Sequence, residues 1–334
     1  MNCLPWHKQD FGRLLAMRVR LPHALLIHGR QGIGKLVFAQ ALVQSLLCEA
    51  PTAAGAACGK CAACSWCEAG GHPDWLRIEP DQSGDEDQGI EKKFGRQITV
   101  DQIRQLPDFI NISSHRCGRK FVLVHPAEAL NVNAANALLK SLEEPPPNTY
   151  FILVAHRPHF LLPTIKSRCQ HVALAPPSAE VAEAWLRAHN VGEPALALAQ
   201  AGNAPLLAAH LADGDWWQQR ATLLCAIASP RFDPLAVAEQ VRDVPLPHLV
   251  GWLQKWSFDL IFKKFLGKIR YNPDYADAVA DSADSADTWS LLQFHRDLLG
   301  MQRVVNHPLN ARLVIEDLLL VYARLLRGSD NPSR

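Results

Sequence analysis

Long hydrophobic runs are missing from this 334-residue chain, and no stretch approaches the roughly 18 uncharged apolar residues of a membrane-spanning helix. An excess of charge of one sign is missing too: 34 Lys plus Arg stand against 33 Asp plus Glu, a net charge of +1. A protein that lives by nonspecific phosphate contacts carries a larger basic excess, so contact with DNA is expected to be weak, local or made within an assembly. No internal repeat of solenoid period occurs. The opening residues, Met1 to Asp10, hold no basic segment leading into an apolar run, so no secretory signal is expected and the chain is expected in the cytoplasm, away from membranes. With 48% apolar and 20% charged residues, the composition excludes a disordered or collagen-like chain. The length predicts about two or three domains.

The first 170 or so residues alternate strand-like and helix-like segments. His23 to His28 is a short apolar run ending in the glycine-rich stretch Gly29 to Gly34, after which Leu36, Ala39, Leu42, Val43 and Leu46 recur at helical steps. Phe121–Val124 and Tyr150–Val154 are continuous apolar runs of strand length, as parallel strands covered on both faces require. Asn133 to Glu144 between them predicts a helix stopped by Pro145-Pro146-Pro147. Strand, helix and strand make a βαβ unit, and the fold class follows as α/β. Ile98 to Arg104 predicts renewed order with Thr99 as N-cap. The acidic, glycine-containing segment from Pro80 to Lys93 is expected as a mobile loop, and Asn272 to Asp287, with five Asp, as a second mobile break. Beyond Leu174 a linker, Ala175-Pro176-Pro177-Ser178, leads into helical patterns: an Ala-rich Ala179 to Ala209, then long amphipathic stretches that include Leu246 to Leu266 and Leu309 to Leu326.

Gly29-Arg30-Gln31-Gly32-Ile33-Gly34-Lys35 fits the G-x-x-x-x-G-K core of a phosphate-binding P-loop and sits between a strand and a helix. Gly29, Gly32 and Gly34 let backbone N–H groups wrap a phosphate, the helix N-terminus adds partial positive charge, and Lys35 adds a point charge. The next position fails, because Leu36 has no hydroxyl for Mg²⁺. A second magnesium ligand should stand at the tip of a neighbouring strand, but Phe121–Val124 runs into His125-Pro126-Ala127-Glu128 with no acid at its end. Glu128 is expected at the start of the following helix. The loop therefore either only turns the chain or binds ATP weakly, and no magnesium site is expected in cis.

Nine cysteines are poor disulfide candidates in a reducing compartment. Cys58, Cys61 and Cys64 stand at two-residue gaps that turn three thiols toward one ion. A structural Zn²⁺ takes four tetrahedral ligands, and the fourth is either Cys48 or Cys67. An iron–sulfur cluster on Cys58, Cys61, Cys64 and Cys67 fits less well, since the spacing differs from the ferredoxin run and Glu68 replaces its proline. His72, in His72-Pro73-Asp74, is a distant reserve ligand in a segment read as turn and packing.

Asn136-Ala137-Leu138-Leu139-Lys140-Ser141-Leu142-Glu143-Glu144-Pro145-Pro146, and Thr164-Ile165-Lys166-Ser167-Arg168-Cys169 beyond the next strand, together resemble the clamp-loader branch of the AAA+ family. The ending Asn310-x-x-Leu313-x-x-Glu316-x-Leu318-Leu319-Leu320 resembles the last collar helix of bacterial members. The resemblance implies an AAA+ α/β domain over residues 1–174 with a zinc module at about 48–67. It further implies a small helical lid over 175–211 and an all-α collar for oligomerisation over 212–334.

The resemblance favours Cys48 as the fourth zinc ligand. In hydrolysing relatives the strand-end acid pair would fall on His125 and Pro126, the next polar sensor on Ala155 or His156, and the lid-domain arginine at Pro205. What is kept is Arg168, which matches the arginine that clamp-loader subunits insert beside the γ-phosphate in a neighbour's site. The pattern implies an accessory, non-hydrolysing subunit that helps load a sliding clamp onto primed DNA. Its partners would be ATPase subunits of the gamma/tau type and a delta-type subunit, met through the collar and Arg168, with clamp and DNA reached mainly through the complex. Two alternatives differ in class. One is an ATPase that orients water with Glu128 or His156, and the other is a zinc-dependent DNA-binding module, which the near-zero net charge disfavours.

Overall fold

Five short segments pair as one parallel sheet, and the apolar-throughout strands are those covered on both faces. The computed structural model describes residues 3–80, 97–115, 118–212, 214–229, 232–302, 305 and 310–326, and the chain divides into two compact units that meet in sequence at Val181–Ala182. The expected loop at 81–93, Cys117 and Leu309 lie outside the described residues.

In the first unit, α1 (Lys8–Ala16) precedes β1 (Ala24–His28) and α2 (Lys35–Leu47). There follow α3 (Ala62–Ala69), β2 (Trp75–Ile78), α4 (Val100–Arg104), α5 (Leu106–Asn111), β3 (Lys120–Val124) and α6 (Val132–Glu143). Then come β4 (Thr149–Ala155), α7 (Pro163–Arg168) and β5 (Gln170–Ala173). Strand order is β2-β3-β4-β1-β5, with Leu26 opposite Leu153 and Val122 opposite Phe151 in the central pairs. β1, β3 and β4 are almost wholly buried, and Leu138 and Leu142 of α6 pack into the same core. Helix ends follow local chemistry. Asn131 caps α6 by accepting from the Ala134 N–H at 2.8 Å, and Gln102 Oε1 accepts from the Thr99 N–H at 2.9 Å in a capping box on α4. β1 is flanked by β4 and β5, so the loop after β1 opens at the carboxyl edge where the connections diverge, the usual place for a ligand in an open α/β sheet.

Among its described residues the second unit has helices and no strand. α8 (Ala179–Ala188), which runs into it, is followed by α9 (Pro194–Gln200), α10 (Pro205–Ala212), α11 (Trp216–Ile227), α12 (Pro234–Gln240) and α13 (Leu246–Leu266). α14 (Ala276–Ser285), α15 (Thr288–Met301) and α16 (Ala311–Leu326) complete it. Trp252, Trp256 and Leu260 of α13 form a core with Phe294 of α15 and Leu319 and Tyr322 of α16, where the Trp256 indole donates to the Tyr322 hydroxyl at 2.8 Å. Trp216, Trp252 and Trp256 are therefore packing groups of this core.

One sequence expectation is corrected. Asn272 to Asp287 is not a mobile break, because α14 occupies most of it. Val279 and Ala283, four residues apart, face the core, while Asp277, Asp281 and Asp284 lie on the exposed side. The remaining acids have assigned partners: Asp274 takes a two-pronged ion pair from buried Arg220 at 2.7 and 2.9 Å, and Asp287 caps α15 through the Ser290 N–H. Arg220 also donates to Asn272, which receives Gln200 of α9, so one buried polar network ties the Ala-rich helices to α11 and α13. Asp259 of α13 closes it by accepting three successive backbone N–H groups, Arg270 to Asn272.

Candidate functional site

The glycine-rich segment does form a phosphate-type loop. Gly34 sits in the left-handed region at φ 94° directly before α2, and Gly32 at φ 78°, conformations that side-chain-bearing residues rarely adopt. A Cβ on Gly29 would overlap the Leu174 carbonyl oxygen, because β5 continues into a bond from the Leu174 N–H to His28 O. The side chains around the loop turn inward upon it. Lys35, 2% exposed, donates to the Gly29 carbonyl at 2.8 Å and to the Arg30 carbonyl. Burial pulls its ammonium down to about 8, with Glu128 pulling the other way. Trp6 Nε1 and His7 Nε2 both donate to the Ile33 carbonyl at 2.9 Å. No local pattern signals this double clamp, since Trp6 and His7 lie far upstream of the motif they brace.

The surroundings are wrong for Mg²⁺, which demands oxygen ligands. His125 stands at the tip of β3 and His156 just past β4, with their rings edge to face 5.2 Å apart. Burial, and then the neighbouring cation-forming groups, hold both imidazoles below their ordinary range, so both stay neutral near pH 7. Glu128 lies in a 3₁₀ turn at Ala127–Ala129, ahead of α6 and not at its start as expected. Its carboxylate accepts from the His156 N–H at 2.9 Å and the Arg157 N–H at 3.0 Å. A carboxylate tied to two backbone donors is a strut for the loop after β4 and a poor general base. ATP should accordingly bind weakly, with affinity changing by less than about twofold when EDTA replaces Mg²⁺, since Leu36 offers the metal no hydroxyl and the tip of β3 carries His125 in place of an acid. Calorimetry revealing a tight, magnesium-dependent complex would contradict this account of the loop.

Four sulfurs converge on the far end of α2. Cys48 follows that helix, Cys58 and Cys61 lie in the next loop, and Cys64 is in the first turn of α3. The four Sγ atoms all lie within 4.8 Å of one another, with Cys48 to Cys61 at 3.8 Å and Cys58 to Cys64 at 4.0 Å. A tetrahedral ion with bonds of about 2.3 Å sets sulfurs about 3.8 Å apart, so the set could hold one metal ion. Backbone donors point at the sulfurs as thiolates require: Cys58 N to Cys48 Sγ at 3.2 Å, and Lys60 N and Cys61 N to Cys58 Sγ at 3.4 Å. The Lys60 and Cys61 N–H groups pull the Cys58 thiol down to about 6. Cys67 is buried on α3 outside this set, and His72 accepts from the Asp74 N–H in the turn before β2.

Arg168 ends α7, half-exposed at the surface. Its guanidinium meets the Glu143 carboxylate at 2.6 Å and donates to the Thr164 carbonyl at 3.0 Å. Pro205 is the first residue of α10 and is buried, so no charged group stands there.

Known proteins resemble this chain over most of its length. A family model described as "DNA polymerase III, delta subunit" matches residues 9–178, and one described as its C-terminal part matches 214–323. The solved DNA polymerase III gamma subunit-related protein of Thermotoga maritima shares the fold with a TM-score of 0.51 at 19% identity, covering 96% of this chain and 99% of its own. DNA polymerase III subunit delta' of Pseudomonas aeruginosa is 37% identical over 96% of this chain and 97% of its own length. The Escherichia coli subunit delta' is 33% identical over 96% and 95%. At that identity and coverage, the chain belongs to the DNA polymerase III delta' family.

Proposed function

We propose that this chain is an accessory, non-hydrolysing clamp-loader subunit of DNA polymerase III that helps place the sliding clamp on primed DNA and supplies Arg168 to a neighbouring ATPase subunit. One contrast carries the reading. The phosphate loop is formed but closed on its own lysine and flanked by two imidazoles where magnesium ligands would be needed, while a guanidinium stands half-exposed at the end of α7. Cis hydrolysis lacks its parts, and a permanent planar charge remains for use in trans. The family models and the delta' relatives support the same role.

The reading extends to the rest of the chain. The domain plan is an AAA+ α/β domain at 1–174, a lid at 175–211 and a collar at 212–334. Cys48, Cys58, Cys61 and Cys64 hold Zn²⁺ as a structural ion, since four thiolates in a closed set leave no open position for chemistry. Gamma/tau-type ATPase subunits and a delta-type subunit are the partners, met through the collar and Arg168, in the cytoplasm. No described helix is long and apolar enough to cross a membrane.

Gel filtration of the chain mixed with those subunits, followed by clamp loading on primed DNA, tests the reading. The chain is expected to co-elute and to be required for loading, while turning over no ATP alone. ATP hydrolysis by the purified chain, abolished by Lys35→Ala, would instead make it a working ATPase.

A further inference from the structure

The arginine assigned to a neighbour's site does not stand alone. Arg168 Nη2 lies 2.6 Å from Glu143 Oε1, and its Nη1 donates to the Thr164 carbonyl at 3.0 Å and to Ser167 Oγ at 3.4 Å. The two ends of this contact come from different elements. Glu143 is the last residue of α6, where the chain breaks into Glu144 and three prolines, and Arg168 is the last residue of α7. Both helices are anchored from below, α6 by buried Leu138 and Leu142 and α7 by buried Ile165. The end of α7 is fixed again by His171 Nε2, which donates to the Lys166 carbonyl at 3.0 Å.

We infer that Glu143 is a positioning residue for Arg168, holding the guanidinium from a second helix so that its free donors meet a neighbour's nucleotide already oriented. The inference rests on the trans role proposed above for Arg168. A long arginine side chain tethered only by its own helix samples many rotamers, and fixing it costs entropy at the moment of reaction. Bonds to Thr164, Ser167 and Glu143 fix both terminal nitrogens beforehand and still leave part of the five-donor fork for phosphate oxygens. The carboxylate does not block that use. The Arg168 side chain is 34% exposed and that of Glu143 48%, and such exposed pairs are weak beside a phosphate's greater charge.

The test is ATP turnover by the reconstituted loader, with the Arg168-dependent share defined by the drop that Arg168→Ala causes. Glu143→Ala should remove most of that share, cutting it by about tenfold, with KM unchanged, as loss of orientation does. Glu143→Gln keeps an acceptor oxygen within reach of Nη2 and should retain more than half of the share. Adding Glu143→Ala to Arg168→Ala should cost nothing further, because a residue that acts only through Arg168 has nothing left to orient.

Wild-type or faster turnover in Glu143→Ala overturns the inference, as does a double variant slower than Arg168→Ala. Failure of both Glu143 variants to assemble does the same, making the glutamate a structural brace. These results leave the trans role of Arg168 standing. Unchanged turnover in Arg168→Ala itself would remove that role and the inference with it.

Discussion

Cys61→Ser is expected to release the metal and loosen the segment from Cys48 to Ala69. Structural zinc in small modules contributes about 10–16 kcal/mol of apparent binding free energy, and the stretch between α2 and α3 has little else to hold it. Between the end of α2 and the start of α3 there is no strand, and residues 49–62 are mostly exposed or half-buried. The substitution is a clean one for a local reason. Cys61 is also the N-cap of α3, its sulfur accepting from the Cys64 N–H at 3.4 Å, and serine is a good N-cap. The helix start therefore survives while the ligand is lost. The sheet has its own core and should stay folded, so the loss should appear as fast hydrogen exchange confined to about residues 48–70. Cys67→Ser should keep one zinc ion per chain by elemental analysis, because Cys67 lies outside the four-sulfur set. Metal retained by Cys61→Ser, lost by Cys67→Ser, or found to be iron would each refute the assignment.

Features resting on local chemistry could be read directly from the residues. The run Ala24 to His28, the glycines after it and the helical recurrence from Leu36 to Leu46 describe β1, the loop and α2 because each signal spans only a few residues. The cysteine spacing likewise implied a cluster, although spacing left Cys48 and Cys67 as alternatives. Only the fold shows that the end of α2 returns to the Cys58–Cys64 segment.

What stayed hidden depends on distance in sequence. Five aspartates in sixteen residues suggested a break, yet Val279 and Ala283 bind that stretch to a core shared with α11, α13, α15 and α16, and burial outweighs polar composition. Glu128 looked like a helix start, since nothing nearby reveals that its acceptors would be taken by backbone donors twenty-eight residues on. Glu143 was visible as part of a motif, but its contact with Arg168 is a product of how α6 and α7 pack. The same holds for the Trp6 and His7 bonds to Ile33.

Arg168→Ala is expected to lower ATP turnover of the assembled loader while leaving folding, metal content and assembly unchanged. The side chain is partly exposed and its contacts are one surface ion pair and bonds within its own short helix, so its removal costs the free chain little. Its effect should arise only where negative charge builds up on a transferring phosphoryl group. There an arginine finger contributes about three to five powers of ten in rate at its own site. Other sites in the ring keep working, so the observed loss should be partial. Lysine should rescue poorly, because Arg168 uses separate terminal nitrogens for Glu143 and Thr164, and an ammonium on a flexible stem cannot hold both contacts and still present a planar fork to phosphate. The assay is clamp- and DNA-stimulated ATPase of the reconstituted complex, with assembly checked by gel filtration and zinc by elemental analysis. Wild-type turnover in a fully assembled Arg168→Ala complex would reduce Arg168 to a surface ion pair and the subunit to a spacer between its neighbours.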